Sequence, residues 1–358
     1  MVIAPDRHAS IGVSVQEARM CGTVGLFIGC AALSYCPKEL LLQTAQQAVG
    51  NEPEYRSPFR NWHERASVRQ APRRLLTEGA IRPYFPAELV PVTRHPLIKG
   101  LAPETFDEVL IQHLYRYLNF TARLEYSVVN RTVLGIASGS VGVTLPEEMR
   151  FDAYKMYCDE AYHTLFSVDL ARQVQQRSGV VARLPDEPYF IVRLKQLIAE
   201  LPERDRALAE LLFVIVSETL ISATLADVPE WDGVSAAVRG TVRDHAADEG
   251  RHHAYFAAFL RFLWGQLSSD DRRRAAVLVP RLIDIFLRPD VPALRAEMVG
   301  YGLTAEEAEC VVDETYTPDV VREHVAATSR QTVRYFESLG AFDDPLAADE
   351  LHRYGMAS

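Results

Sequence analysis

Apolar residues recur every three or four positions along most of the chain after residue 104, a spacing typical of amphipathic helices. Thr105 is a suitable N-cap for the first of these helices, and Gly179 a suitable end for the second. No stretch alternates with the period of two that is typical of strands. The pattern therefore predicts an all-α fold, with helices over 105–134, 147–178, 188–200, 204–228, 234–266, 270–288, 303–314 and 317–338.

The first hundred residues follow a different pattern. Residues 1 to about 40 show no clear period, and we treat residues 1–45 as an unassigned N-terminal extension. Two helical patterns between 41 and 80 are broken from Gly50 to Pro58. Prolines recur between 83 and 103, which predicts an extended connection because proline interrupts a helix. We expect one helical domain over 46–342, followed by a loosely held tail at 343–358.

Composition narrows the possible functions. A hydrophobic fraction of 48% in 358 residues is enough for a large core. The net charge of −10 argues against binding to nucleic acid or to anionic membranes. The apolar run 25–33 is too short to cross a bilayer and lacks the features of a signal peptide. Five cysteines without a CxxC spacing fit a reducing compartment, so we expect a cytoplasmic protein.

Two of the predicted helices carry glutamate where the pattern calls for an apolar residue. Glu125 shares a helix face with Leu118 and Val129, and Glu218 is the only charged residue in 211–221. A segment that is hydrophobic all round belongs in a core. A glutamate buried there must be neutralised, paired or coordinated to a metal.

A short motif, D-E-x-x-H, occurs twice. Asp159 to His163 and Asp248 to His252 both match it, and each follows a helix with an isolated glutamate, 35 and 31 residues earlier. One glutamate from each of two helices and a Glu-x-x-His from each of two others form the di-iron or di-manganese site of four-helix bundles. Two unrelated, salt-bridged faces are the alternative. The predicted ligands are Glu125, Glu160, His163, Glu218, Glu249 and His252.

His245 adds to this set. It lies one turn before Glu249 on the same face, so we predict a third histidine ligand, with a neighbouring or substrate-facing role as the alternative. Asp159 and Asp248 are candidates for orienting the histidine rings. Imidazole with carboxylate suits iron or manganese, and the absence of a nearby thiolate argues against zinc and iron–sulfur clusters.

These residues resemble one known family. The order and spacing of Glu125, Asp159-Glu160-x-x-His163, Glu218 and His245-x-x-x-Glu249-x-x-His252 are similar to those of the AurF-type p-aminobenzoate N-oxygenases. The likeness covers roughly residues 55–265. It implies a ferritin-like four-helix bundle with additional flanking helices, in a protein that is commonly a homodimer.

The resemblance also implies an activity. Such enzymes hold two iron ions, for which manganese is an alternative, and use O2 as a co-substrate together with an external reductase or other electron donor. A peroxo-diferric intermediate oxidises a small-molecule amine to hydroxylamino, nitroso or nitro products. A carboxylate on the substrate would need a cationic partner. Arg116, Arg123 and Arg131 lie near Glu125 in sequence, but none shares its face.

Other functions remain open on the same residues. A different O2-dependent oxidation, such as C-hydroxylation, desaturation or oxidative cleavage, would use the same ligands. Tyr126, Tyr157 and Tyr162 allow a radical-generating role, and a ferritin-like protein could also store iron. A helical scaffold without metal is the alternative from a different class.

Overall fold

Long helices form where the apolar spacing predicts them. The computed structural model describes residues 54–77, 83–225 and 228–357, apart from the side chains of 222–224. In these ranges there is no strand, and the all-α prediction is confirmed. The helices are α1 (Trp62–Arg65), α2 (Ser67–Gln70), α3 (Pro96–Lys99), α4 (Pro103–Leu124), α5 (Asn130–Ser138), α6 (Glu147–Ser178), α7 (Tyr189–Glu200), α8 (Glu203–Leu225), α9 (Ala236–Gln266), α10 (Ser269–Leu287), α11 (Val291–Gly300), α12 (Ala305–Thr315), α13 (Pro318–Glu337) and α14 (Pro345–Arg353).

Four long helical stretches form the central bundle. They are α4 with its continuation α5, then α6, α8 and α9, and contacts join α4 to α6, α6 to α9 and α8 to α9. Helix α8 is also covered by α7, α10 and α13. The run Leu212 to Val216 is accordingly fully buried, as expected for a helix that is apolar all round. This arrangement fits the ferritin-like four-helix bundle with flanking helices.

The segment before the bundle differs from the prediction. A helical pattern was expected up to residue 80, but in the described range 54–77 only α1 and α2 form, and residues 71–77 have no regular secondary structure. Ala66 between the two helices has extended backbone angles (φ −62°, ψ 137°), and Pro72 lacks the amide hydrogen needed to continue α2. The first helical pattern, over 41–49, and the extension 1–45 lie outside the described residues.

The connection 83–102 contains only short turns and α3, as the recurrent prolines predicted. Two 3-10 turns occupy Ala87–Leu89 and Pro91–Arg94, and a third covers Val228–Glu230 before α9. No described helix is long and apolar enough to cross a membrane.

Other predictions about the helices were also wrong. The helix expected to end at Leu134 continues to Ser138, through a π-helical turn at Glu125–Val129, and stops at Gly139 with a left-handed φ of 75°. Helix α11 was missed, although Asp290 caps its first turn. The C-terminal end is not loose, because α14 packs on α10 with its Ala347 and Leu351 buried. The expected domain limits themselves stay predictions.

Candidate metal centre

The seven residues predicted as metal ligands lie together inside the bundle. None of these seven residues is more than 2% exposed. Their ligand atoms form three overlapping groups, and within each group all atoms lie within 4.8 Å of one another. The groups are Glu125, His163, His245 and Glu249; Glu160, His163, Glu249 and His252; and Glu125, Glu160 and Glu218.

Helix geometry explains this convergence. Residues three and four apart share one face, so His245, Glu249 and His252 form a column on α9, and Glu160 and His163 a shorter one on α6. Glu218 comes from α8. Glu125 opens the π-helical turn after α4. Such a turn takes one more residue than an α-helical turn and frequently occurs at functional sites.

The contacts divide the cluster into two halves that share two glutamates. His245 Nε2 lies 3.1 Å from Glu249 Oε1 and 3.6 Å from Glu125 Oε1. His163 Nδ1 lies 3.0 Å from Glu160 Oε2 and 3.4 Å from Glu249 Oε1. Glu160 and Glu249 therefore reach the half that contains Glu125.

The second half is built on one histidine. His252 Nδ1 lies 2.8 Å from Glu160 Oε1, 3.3 Å from Glu249 Oε1 and 3.8 Å from Glu218 Oε2. Glu160 and Glu249 thus lie between the two halves, with Glu125 on one side and Glu218 on the other. The set offers two neighbouring positions for cations.

Several polar atoms in the cluster have no hydrogen-bond partner. Both carboxylate oxygens of Glu125 and of Glu218 are buried without one, as is Glu249 Oε2. Leaving a buried polar group unsatisfied costs about 1–3 kcal/mol, and more when the group is charged. Oxygen and imidazole ligands suit iron and manganese. The residues therefore fit a pair of such cations.

The carboxylates differ in their pKa values. Burial, together with the neighbouring Glu160, raises the pKa of Glu125 and of Glu218 well above the usual range. Burial acts in the same direction on Glu160, but His252 and His163 outweigh it and hold the pKa of Glu160 well below its usual value. Without a metal, protons on Glu125 and Glu218 limit the negative charge of the cluster.

In two of the histidines, burial lowers the pKa but neighbouring carboxylates raise it by more. Burial and His245 oppose a charge on His163, yet Asp248 and Glu160 raise its pKa to about 9. Despite burial, Glu160 and Glu249 raise the pKa of His252 well above its usual value. A metal would have to displace the protons from both rings, because only neutral imidazole binds a cation.

Asp159 and Asp248 contact the histidines crosswise. His252 Nε2 lies 3.2 Å from Asp159 Oδ2 on α6, and His163 Nε2 lies 3.1 Å from Asp248 Oδ2 on α9. An ionised carboxylate can only accept, so each Nε2 carries the hydrogen. The Nδ1 atom of each ring is thereby directed at the glutamates. Each histidine is held by the aspartate of the other motif.

Sequence reasoning missed the groups that hold these aspartates. The indole Nε1 of Trp62 donates to both oxygens of Asp159, at 2.8 and 2.9 Å. The backbone N–H of Ser67 donates to both oxygens of Asp248, at 3.2 Å each. Arg251 forms an ion pair with Asp248 and lies 3.8 Å from Asp159 Oδ2. Of these three groups, only Arg251 lies within a predicted motif, the second D-E-x-x-H.

The chain matches a family that was suggested by these residues. The family described as P-aminobenzoate N-oxygenase AurF matches residues 55–340. The chain belongs to this family. A similar relative is the 4-aminobenzoate N-oxygenase of Streptomyces thioluteus, with 24% identity over 231 residues, which are 63% of this chain and 68% of the relative. The resemblance predicted from the sequence is confirmed, and the protein is an oxygenase.

This AurF-family chain has a cavity beside the cluster. The cavity has a volume of about 210 Å³ and is lined by Pro72, Arg73, Arg74, Tyr162, Leu165, Phe166, Asp169, Thr241 and Asp244. The ring centroid of Phe166 lies 5.3 Å from that of His163 and 5.6 Å from that of His245. Phe166 therefore lies between the cavity and the histidines of one half.

Ion pairs hold the segment 71–77, which has no regular secondary structure, along the edge of this cavity. Arg73 binds Asp169 of α6 through two hydrogen bonds of 2.8 and 2.7 Å, and Arg74 binds Asp244 of α9 through two of 2.8 Å. The segment thus spans the two helices that carry the D-E-x-x-H motifs.

None of the three arginines considered in the sequence lines the cavity of this AurF-family enzyme. Arg116 forms an ion pair with Glu297, and Arg123 donates to the carbonyl oxygen of Asp186. The side chain of Arg131 is exposed. Of the candidate radical tyrosines, Tyr126 and Tyr157 are exposed, at 45% and 38%.

Proposed function

We propose that this protein is a di-iron N-oxygenase, which uses O2 to oxidise the nitrogen of an amine to a hydroxylamino, nitroso or nitro group. The observation that carries the proposal is the buried cluster of four glutamates and three histidines, in which both oxygens of Glu125 and of Glu218 have no hydrogen-bond partner. Membership of the AurF family supports the same chemistry.

We assign the ligands by their contacts. Glu125, His163 and His245 would hold one ion, Glu218 and His252 would hold the other, and Glu160 and Glu249 would be shared. Iron fits this oxygen and nitrogen set, with manganese as the alternative. When bound and reduced by an external donor, two iron ions supply the electrons that activate O2.

The protein's own residues orient the site and exclude water from it. Asp159 and Asp248 hold the Nε2 hydrogens, so that a cation would displace the proton from Nδ1 of each ring and bind there. Leu118, Val129 and Phe256 are at most 3% exposed, and Phe213 is fully buried. An apolar surrounding of this kind keeps water away from reactive groups.

The cavity beside Phe166 suggests how the substrate approaches. Its apolar walls and its volume of about 210 Å³ suit a small arylamine. The relative's name specifies 4-aminobenzoate, and we propose an arylamine, or a small amine-bearing biosynthetic intermediate, for this chain. Arg116, Arg123 and Arg131 give no support for a carboxylate clamp, whereas Arg73 and Arg74 lie at the cavity.

One experiment separates this proposal from its rivals. Iron-loaded protein is reduced without air, mixed with ¹⁸O2 and a panel of arylamines and aliphatic amines, and the products are analysed by mass spectrometry. We expect one or two labelled oxygens on nitrogen, with loss of hydrogen from it. Label on carbon would instead indicate C-hydroxylation, and loss of hydrogen without label would indicate desaturation. The same assay on Glu218→Gln is the control for adventitious iron.

A further inference from the structure

A second set of metal-ligating side chains lies outside the central cluster. Among the described residues, His95, Cys310 and Glu314 each offer one ligand atom, and these atoms lie within 4.8 Å of one another. His95 directly precedes α3, whereas Cys310 and Glu314 lie on α12. His95 and Glu314 are 219 residues apart in the chain. The fold thus brings a nitrogen, a sulfur and an oxygen together from two distant segments.

Helix geometry and packing explain how the three side chains meet. Cys310 and Glu314 are four residues apart, so they share one face of α12. This helix packs on the 3-10 turn Pro91–Arg94 and on α3, the two elements that His95 joins. The side chain of His95 is only 8% exposed, whereas that of Glu314 is 65% exposed. The surroundings therefore fix the imidazole, and a cation can approach from the side of α12.

The distances between the three side chains suit a tetrahedral cation. His95 Nε2 lies 3.1 Å from Glu314 Oε2, and Cys310 Sγ lies 3.2 Å from Glu314 Oε1. Zinc binds nitrogen and oxygen at about 2.0–2.2 Å and sulfur at about 2.3 Å, which places the ligands of one tetrahedron about 3.3–3.7 Å apart. Both contacts of Glu314 are already close to this spacing.

The types of ligand select the cation. A thiolate favours zinc, and imidazole and carboxylate also bind it. The thiolate and the carboxylate together carry two negative charges, which a divalent cation neutralises. We propose that His95, Cys310 and Glu314 bind one zinc ion, with a water molecule as the fourth ligand. This site is separate from the proposed catalytic cluster, whose seven ligands include no thiolate.

One hydrogen bond must be given up when zinc binds. His95 Nδ1 accepts from the backbone N–H of Leu97 at 3.2 Å and so caps α3, which places the ring hydrogen on Nε2. Zinc at Nε2 requires this hydrogen on Nδ1 instead. Losing a helix cap lowers an equilibrium constant by about 30-fold at most, whereas structural zinc sites have dissociation constants far below about 1 μM. The lost cap therefore weakens zinc binding but does not prevent it.

A zinc ion at this position would join the connection 83–102 to α12. Among the described residues of that connection there are only short turns and α3, which have few internal hydrogen bonds. The contact of His95 with the exposed Glu314 contributes little by itself, because ion pairs near the surface are weak. Bonds from one cation to both segments would hold them together more firmly. We therefore expect zinc to stabilise the turn Pro91–Arg94 and α3.

The first test uses cobalt(II), which replaces zinc in tetrahedral sites and gives a charge-transfer band when it binds thiolate. Cobalt in the central cluster does not contribute to this band, because that cluster has no thiolate. Full-length protein should show the band on titration and lose it when zinc is added. Cys310→Ser should weaken the band, whereas Cys158→Ser, at the other described free cysteine, should not. A natural chain without the band, or an equally strong band in Cys310→Ser, would overturn the proposal.

The second test measures zinc affinity by competition with a chelator. Glu314→Gln should bind this zinc ion about 10- to 100-fold more weakly, since removing even a group behind a ligand has an effect of that size. Glu309→Gln is the matched control, because Glu309 is also exposed on α12. Glu314 is exposed, so the variant should keep its helical circular dichroism signal. Equal affinities in the two variants would show that Glu314 is not a ligand and that the assigned site is wrong.

A third test examines where zinc acts by hydrogen exchange. In the natural chain, zinc should slow the exchange of backbone amides over 92–100 and 310–315, because both segments are bound to one ion. Exchange in α14 should not change. Cys310→Ser should lose the effect of zinc on both segments. If zinc leaves exchange unaltered in the natural chain, or slows it equally in Cys310→Ser, the ion does not bind at this site.

Discussion

At the scale of the residue, Glu218 shows how the sequence encodes this site. It is buried in a helix whose neighbouring side chains are apolar, and neither of its oxygens has a hydrogen-bond partner. Burial raises its pKa well above the usual value, so the metal-free protein avoids the charge by holding a proton. A charged carboxylate in this position lowers the stability of the fold unless it binds a cation.

We expect Glu218→Gln to lose dinuclear loading, because the substitution keeps the shape but removes the only acid of α8 in the cluster. Metal analysis after reconstitution should give about half the natural metal content or less. Glu210→Gln is a matched control on the same helix, since Glu210 is partly buried and its pKa is raised by burial outside the cluster. Full metal content in Glu218→Gln would contradict the ligand assignment.

His245→Ala tests whether the surplus histidine is a ligand. Nε2 of His245 is the ring nitrogen nearest Glu125 and Glu249, so its loss should weaken the binding of one ion while leaving the fold intact. Titration with ferrous iron, followed by the helical circular dichroism signal, measures both. His253→Ala is the control, because that ring bonds to Tyr335 instead, at 2.7 Å. Equal affinities in the two variants would favour the non-ligand role.

Metal affinity should rise with pH. The pKa of His163 increases from 6.5 to about 9 in the metal-free cluster, and those of His252, Glu125 and Glu218 also increase. Each raised group holds more protons when folded than when unfolded. Its contribution to metal-free stability is therefore full at low pH and is lost as the pH rises through the folded pKa.

Metal binding must release these protons, so the apparent affinity should increase between pH 6.5 and about 9. Calorimetry in buffers with different ionisation enthalpies counts the protons, and Glu218→Gln should release fewer. An affinity that does not change over this range would show that the rings are already neutral.

The predicted ligands could be found from sequence because each interrupts an apolar period on its own helix. Trp62 and Ser67 could not, because they contact Asp159 and Asp248 from 97 and 181 residues away. Ser67 also makes its contact through a backbone N–H, which every residue except proline has, so the residue type does not indicate it. The spacing of residues along the chain predicts one helix face, whereas these contacts depend on how the segment with α1 and α2 lies across α6 and α9.

At the scale of the element, the segment with α1 and α2 contacts both α6 and α9 because it is not one continuous helix. By turning at Ala66, it directs the indole of Trp62 at α6 and the N–H of Ser67 at α9. Hydrogen bonds to charged groups contribute about 1.5–3 kcal/mol each. The segment thereby fixes both aspartates, and through them both histidine rings.

Trp62→Phe should lower metal affinity about 10- to 100-fold, because it keeps the buried ring but removes the donor to Asp159. Chelator competition measures the affinity, and chemical denaturation the stability. Trp264→Phe is a matched control, since Trp264 donates to the carbonyl oxygen of Leu339 away from the cluster. If both variants bind metal equally well, Trp62 has only a packing role.

At the scale of the whole molecule, the bundle buries both the apolar run 211–221 of α8 and the cluster. Ligands that bind only the folded state stabilise it, by about 2.7 kcal/mol at a hundredfold excess over Kd. We expect metal to raise the melting temperature by about 5 °C or more, and a chelator to reverse the increase. Glu218→Gln should show a smaller increase, and an identical one would indicate binding elsewhere.

The helices of the bundle could be predicted from the sequence because long helices such as α6 and α9 repeat the apolar spacing over many turns. The π-helical turn at Glu125 was not, because one extra residue hardly alters the apolar spacing. Helix α11 has only 10 residues, and α14 only 9, so neither repeats its pattern often enough to be distinguished from a loop.

The crossed contacts of Asp159 with His252, and of Asp248 with His163, make the two motifs interdependent. Neither helix pair can preorganise its own imidazole, because the group that does so is encoded in the opposite half of the chain. Fragments ending between α6 and α8 should therefore fail to bind metal separately and regain binding only when mixed. The D-E-x-x-H motif is duplicated in the sequence, yet each copy depends on the aspartate of the other copy to orient its histidine.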